Sequence, residues 1–289
     1  MAAASLPITP ALRRQLADWL AEDLGRGDLS APALGDRIGR AHWLAKAKGV
    51  FCGGVLVEPL FQQLDPAVAV RLLVADGEPV QAGQRLLELE GPARALVAGE
   101  RTALNLAMRL SGIASATATL VAQLTGTGVR LADTRKTTPG LRLLEKYAVR
   151  CGGGCNHRLG LDDAAMLKEN HLAWSGGVAA AIAAVRAQAP WPARVIVEAE
   201  SAAEAIAAVE AGADGVLLDE FSPAELQLLV PQLRQRAAAR GAGGSLVLEA
   251  SGVQPQQLAD YAASGIDLIS TSAPMTRSCW LDLSMRFEG

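Results

Sequence analysis

Three short strings gather two of the five lysines, two of the three histidines and a triple glycine of this sequence: Asp133-Thr134-Arg135-Lys136-Thr137-Thr138-Pro139-Gly140, then Gly152-Gly153-Gly154-Cys155-Asn156-His157-Arg158, then Lys168-Glu169-Asn170-His171. Arg135, Lys136, Arg158 and Lys168 supply permanent positive charge; arginine suits two-pronged contact with carboxylate or phosphate, and lysine acts as a compact point charge. The pattern reads as a site for a small polyanion. A single one of these arginines could equally pair with a nearby acid such as Asp162 or Asp163. The triple glycine can bring backbone amides close to a ligand, or simply end the helix read from Thr138-Pro139 through Leu141, Leu144 and Ala148. His157, beside Asn156 and Arg158, could bind a carboxylate; a lone histidine is more often a satisfied hydrogen-bonder.

Two solitary acids close apolar runs elsewhere: Glu198 after Val195-Ile196-Val197, and Asp219 after Val216-Leu217-Leu218. Carboxylates of this kind suit Mg2+ held through water and substrate phosphate, because that ion rarely takes a full protein cage. Ser251-Gly252 and Ser270-Thr271-Ser272 offer hydroxyls and amides to a terminal phosphate.

The elements that must position these residues follow from periodicity. An opening helix is expected with Thr9 as N-cap, Pro10 at its first position and Leu12, Leu16, Trp19 and Leu20 on one face, stopping at Gly25. Strand and turn signals fill 41–98, among them Arg71-Leu72-Leu73-Val74, the turn Asp76-Gly77 and Arg85-Leu86-Leu87-Glu88-Leu89. From Gly99 to about Leu124 the pattern is helical. Beyond it, short apolar runs at 129–132, 164–167, 194–197, 215–218, 245–248 and 266–269 alternate with Ala-rich helical stretches, the mark of successive βα units and a parallel sheet. Every run ends in polar or charged residues. In a barrel of parallel strands those ends share one mouth, so six separate tips become one site.

The chain has 289 residues, half of them hydrophobic and one fifth charged, with a formal net charge of -3. It is long enough for a large α/β unit with a smaller one attached, and it has no global basic field, which argues against nucleic acid or anionic lipid as principal partner. No apolar core follows a basic start within the first ten residues, so no secretory signal is read. The uncharged run 110–129 is rich in Ser, Thr, Gly and Gln and reads as helix and turn of a folded domain, not as a membrane span. Four cysteines, Cys52, Cys151, Cys155 and Cys279, read as reduced thiols; Cys151, Cys155 and His157 lack a second ligand pair at the spacing a zinc site needs.

The strings EDLGRGDLS (22–30), GERTALNLAMRLSGIAS (from Gly99), DTRKTTPGLRLLEKYAV (from Asp133), CGGGCNHRLGL (from Cys151) and AAMLKENH (ending at His171) resemble the quinolinate phosphoribosyltransferases over nearly the whole chain. The resemblance implies an α/β protein: an incomplete parallel, TIM-like α/β barrel at 113–272 and an N-terminal α/β sandwich domain at 1–112, with the tail 273–289 packed back on the sandwich. It implies transfer of phosphoribosyl from phosphoribosyl pyrophosphate to quinolinate with decarboxylation, giving nicotinate mononucleotide in NAD biosynthesis, in a cytoplasmic homodimer. Mg2+ would be required and no organic cofactor. Matched by motif, Arg101 would reach the neighbouring subunit's quinolinate. Thr134, Arg135, Lys136, His157, Arg158 and Lys168 would hold the two carboxylates and the donor. Lys136, Lys168, Glu198 and Asp219 would be catalytic, with Glu198 and Asp219 also at the metal, and Ser251, Gly252, Ser270, Thr271 and Ser272 would face the 5-phosphate. This chain departs from the family at Val253 and Ser272, where a Gly or Asn and a Gly are usual.

Three other readings fit parts of the sequence. A paralogous transferase-like protein sharing the barrel, for instance one associated with molybdate utilisation, or an enzyme preferring nicotinate is a rival of the same class; the number of arginines favours a dicarboxylate. A barrel lyase could use Lys136 or Lys168 as a Schiff-base nucleophile. The segment 76–84 resembles a biotin or lipoyl carrier hairpin, but no lysine lies between Lys48 and Lys136 to be modified.

Overall fold

The computed structural model describes residues 4–241 and 246–288. In chain order its first strands are β1 (Ile38–Ala45), β2 (Gly49–Val50), β3 (Ala69–Leu72), β4 (Pro79–Val80) and β5 (Arg85–Pro92). They are followed by β6 (Arg130–Ala132), β7 (Ala165–Leu167), β8 (Val195–Ala199), β9 (Gly215–Leu218), β10 (Val247–Ala250), β11 (Leu268–Ser270) and β12 (Leu283–Glu288). Ser245, part of the run read at 245–248, lies outside the described residues, as do 1–3 and 289 of the expected terminal segments. The residues divide into two compact units, 1–118 with 143–153 and 273–289, and 119–142 with 154–272.

The first unit carries an antiparallel sheet in the order β12-β1-β5-β3. Helix α1 (Pro10–Leu24) starts as its sequence dictates: the Thr9 hydroxyl accepts the Leu12 N–H at 3.2 Å, Pro10 occupies the first position, and Leu12, Leu16 and Leu20 are buried. After the short α2 (Val57–Phe61), the long α3 spans Ala93–Gln123. It begins six residues before the expected Gly99. Gly99 lies inside the helix because its bare Cα lets the Phe61 ring pack there; a Cβ would stand 2.6 Å from that ring. By length and composition α3 could cross a membrane, but half of its most apolar window is buried within the protein. Leu96, Ala103, Leu104 and Ala107 belong to the core of this unit, while buried Ser111 and Thr117 bond to carbonyls.

Helix α4 (Arg142–Cys151) starts later than the expected Thr138-Pro139. Gly140, at φ +83°, is left-handed, and the Leu141 N–H closes a turn onto the Thr138 carbonyl, so the Pro-Gly pair makes a turn and not a first helical turn.

The second unit is a parallel sheet in the order β6-β11-β10-β9-β8-β7. Leu131, Leu167, Val195, Val197, Ala199, Val216, Leu218, Leu248, Ala250 and Ile269 pack on one face against helix residues such as Ile182, Ala208, Leu229 and Leu233. Side chains alternate along a strand. The other face therefore takes Ala132, Ile196, Glu198, Leu217, Glu249, Leu268 and Ser270, with Lys168, Asp219 and Ser251 continuing the pattern one residue past their strands. A parallel bridge between Ala132 and Cys155 lays the segment 154–158 beside β6. From there the Arg158 guanidinium donates to the Ala164 carbonyl at 3.0 Å, next to β7 at the opposite edge of the sheet. A full barrel of this type has eight strands; here a side chain spans the open seam of an incomplete one.

Candidate active site

The mouth of the parallel sheet is built by register. Leu167 pairs with Val197, so the next residues, Lys168 and Glu198, are neighbours, and Lys168 Nζ donates to Glu198 Oε2 at 2.5 Å. Ala199 pairs with Leu218, which brings Asp219 beside Glu200. One oxygen from each of Glu198, Glu200 and Asp219 lies within 4.8 Å of the others. Ser251 donates its hydroxyl to Asp219. Ser270 pairs with Ala132, and the Thr271 N–H donates to the Ala132 carbonyl at 3.0 Å, so the last strand end meets the first. Thr134 Oγ1 accepts the Lys136 N–H at 3.0 Å, a local turn that fixes the loop carrying Arg135 and Lys136.

Electrostatics divide the mouth. Arg158 is buried, and its guanidinium pKa is pulled down first by that burial and then by repulsion from Arg135, with Glu198 working the other way. Two guanidiniums close enough to repel make a receptor for an anion that would neutralise both. On the acid side the Glu200 carboxyl is pushed up, chiefly by Glu169, with Glu204, Asp219 and Glu198 adding to the repulsion. Excess negative charge there would be relieved by a cation. Glu220, immediately after Asp219, has φ +58°, a left-handed conformation that is costly for a residue with a side chain. Gly252, at φ +74°, lies against it.

Among the described residues neither Arg135 nor Arg158 forms an ion pair with Asp162 or Asp163: Arg158 donates to the Ala164 carbonyl, and Asp163 accepts the Leu159 N–H at 2.8 Å. Cys155 donates its thiol to the Leu131 carbonyl and His157 engages Glu249, so each has a partner other than a metal. All four cysteines are free. Gly152 packs where a Cβ would stand 2.4 Å from the Ala114 carbonyl, and Gly153, at φ +87°, ends α4. The first two glycines of the triple thus answer to packing and helix termination. Arg101 lies exposed on α3 in the first unit.

Three residues have no individual role readable from the sequence. Glu200 is two positions after Glu198, so the pleat gives both the same face, a signal present in the period of the strand. Asp133 is buried and accepts the His157 N–H at 2.8 Å and the Asn156 amide at 2.6 Å. Glu249 is buried and meets His157 at 3.1 Å. Neither pairing has a local sequence signal.

Family models for the quinolinate phosphoribosyl transferase N-terminal and C-terminal domains match residues 28–111 and 113–286. The chain belongs to the quinolinate phosphoribosyltransferase family. It is 43% identical over 273 residues, 94% of this chain and 90% of the relative, to a probable carboxylating nicotinate-nucleotide pyrophosphorylase of Synechocystis sp.. It is 37% identical over 286 residues to the human carboxylating nicotinate-nucleotide pyrophosphorylase, covering 98% of this chain and 94% of that one. A solved nicotinate-nucleotide pyrophosphorylase from Francisella tularensis superposes with a TM-score of 0.89 at 35% identity, covering 99% and 98% of the two chains. As in its relatives among the quinolinate phosphoribosyltransferases, an incomplete α/β barrel and a separate N-terminal sheet unit make up the chain, and the enzyme is a pentosyltransferase of NAD biosynthesis.

A divalent cation fits the acid side by donor chemistry. Three carboxylate oxygens within 4.8 Å of one another form a hard, all-oxygen set. Small divalent ions with oxygen ligands at about 2.0–2.1 Å prefer such donors and keep several waters.

Proposed function

We propose that the chain transfers the phosphoribosyl group of phosphoribosyl pyrophosphate to quinolinate and releases carbon dioxide and pyrophosphate, leaving nicotinate mononucleotide. The observation that carries this reading is one mouth with two halves, Arg135, Arg158 and Lys168 against Glu198, Glu200 and Asp219. Arg135 and Arg158 bind the two carboxylates of the heterocycle. Lys136 and Lys168 attend the ribose and pyrophosphate. Glu198, Asp219 and Glu200 would hold Mg2+, which when bound neutralises charge on the departing pyrophosphate. Ser251, Gly252, Ser270, Thr271 and Ser272 seat the 5-phosphate. His157, whose Nδ1 accepts the Arg158 main-chain N–H, stands with the arginines on the carboxylate side.

The chemistry needs no nucleophilic side chain. The pyridine nitrogen attacks the anomeric carbon as the bond to pyrophosphate breaks, and fixed cations stabilise the departing charge. The resulting pyridinium accepts the electron pair left when the adjacent carboxylate departs as carbon dioxide, and that carbon then takes a proton. No organic cofactor takes part. Arg101 serves the site of a second copy, so the working enzyme is a homodimer, and its free thiols suit the cytoplasm.

Incubation with phosphoribosyl pyrophosphate, Mg2+ and either quinolinate or nicotinate tests the reading. Mononucleotide with stoichiometric carbon dioxide from quinolinate supports it; turnover of nicotinate alone would replace it with a non-decarboxylating transferase. Lys168 in an ion pair with Glu198 is arranged as an anion-binding cation, and failure of borohydride to trap a carbonyl adduct would set the Schiff-base alternative aside.

A further inference from the structure

On the inner face of the barrel, Glu249 is flanked in register by Leu217 and Leu268, and its side chain is only 4% exposed. An apolar residue would be the ordinary choice there. One carboxylate oxygen, Oε1, is buried without a protein partner, whereas Oε2 lies 3.1 Å from His157 Nε2. A half-satisfied buried carboxylate is a poor device for stability alone.

The histidine shows what the carboxylate does. His157 Nδ1 lies 2.7 Å from the main-chain N–H of Arg158. That contact requires a lone pair on Nδ1, so the ring proton is on Nε2 and is donated to Glu249. The ring is itself buried, with its side chain 8% exposed, and both nitrogens are committed. The chain of bonds runs from Glu249 through the imidazole to the backbone of Arg158, whose guanidinium continues to the Ala164 carbonyl. Asp133 accepts the Asn156 side-chain amide and the His157 main-chain N–H.

Resting on the function proposed above, we infer that Glu249 is a positioning residue for quinolinate binding: by accepting the Nε2 proton it fixes the tautomer of His157 that holds the Arg158 backbone in place. Its contribution is a hydrogen-bond acceptor and not a charge. Carboxylate–histidine pairs orient metal ligands in the same manner; here the oriented group is an arginine.

The test is steady-state kinetics of the full-length enzyme with quinolinate and phosphoribosyl pyrophosphate, with thermal melts as a folding control. Glu249→Leu is expected to raise the quinolinate KM at least tenfold and the donor KM less than threefold. Glu249→Gln keeps an acceptor and should stay within threefold of the wild type in both. In a His157→Leu background, adding Glu249→Leu should change the quinolinate KM less than threefold further. An unchanged quinolinate KM in Glu249→Leu, equal rises in both KM values, an equal loss in Glu249→Gln, or additivity with His157→Leu would each overturn the inference. Should Glu249→Leu not fold, Glu249→Gln and the imidazole 15N spectrum of the wild type decide: an Nε2–H tautomer at His157 supports the inference and an Nδ1–H tautomer overturns it. A wild type that does not turn over quinolinate would instead remove the proposed function, and the tautomer measurement would stand apart from that failure.

Discussion

Lys168 and Glu198 are in-register neighbours at the ends of β7 and β8, joined at 2.5 Å, and they are the point where the cationic and acidic halves of the mouth touch. The lysine side chain is 42% exposed and the glutamate 13%, so the pair contributes to placement more than to stability. Exposed pairs are worth about 0–1 kcal/mol, whereas removal of one preorganised electrostatic group costs about 100- to 1000-fold in kcat. Lys168→Ala is therefore expected to lose kcat on that scale while its urea midpoint stays near that of the wild type. Retained turnover would take Lys168 out of the mechanism.

A different pair serves the fold. Arg109 donates to Glu145 at 2.7 Å and also to the Met275 carbonyl, and the Glu145 side chain has no exposure at all. Removing one partner of a buried ion pair is destabilising, by about 3–5 kcal/mol. Arg109→Leu should show that loss in urea denaturation, and Arg109→Leu with Glu145→Leu should recover part of it. A single variant losing less than about 1 kcal/mol would show that the glutamate finds other partners.

What was legible in the sequence was whatever depends on near neighbours. Thr9, Pro10 and Gly25 mark the ends of α1 because capping is a matter of three or four residues. The run 194–197 and the acid after it marked β8 and its polar tip, and the same logic located the ends carrying Lys168, Asp219 and Ser270. Helix starts at 93 and 142 were misplaced because they turn on a ring packed against Gly99 and on a left-handed Gly140. Glu249 was legible only as one more polar residue ending a strand, and its role was not, because its partner lies 92 positions earlier in the chain.

Gly152 shows the same dependence on distant atoms. A Cβ there would stand 2.4 Å from the Ala114 carbonyl oxygen and 2.5 Å from the Thr117 Cβ. Neither can yield, since one is helix backbone and the other belongs to a buried threonine whose hydroxyl bonds Ile113 at 2.8 Å. Overpacking of this kind costs about 1–3 kcal/mol. Gly152→Ala should lose that much in urea denaturation, and wild-type stability would mean that the helices separate more easily than their contacts suggest.

Glu200 gives the metal reading a consequence that does not depend on turnover. Its carboxyl pKa is raised, with Glu169 the largest cause and Asp219 and Glu198 among the rest. A raised folded-state pKa means that the folded protein holds this proton more tightly than the unfolded chain. The stability so contributed is present in full below the unfolded carboxylate value of about 4.3 and is lost as pH rises through the folded value. At neutral pH the ionised group therefore opposes folding. Glu200→Gln is expected to melt higher than the wild type at pH 7 without divalent ions, and to match it well below about pH 4. A cation bound among Glu198, Glu200 and Asp219 removes the repulsion, so Mg2+ should raise the melting temperature of the wild type more than that of Glu200→Gln at pH 7. Equal Mg2+ shifts in the two proteins would place the ion elsewhere, while a lower melting temperature for Glu200→Gln at pH 7 would mean that the carboxylate is held by favourable contacts that outweigh its acidic neighbours.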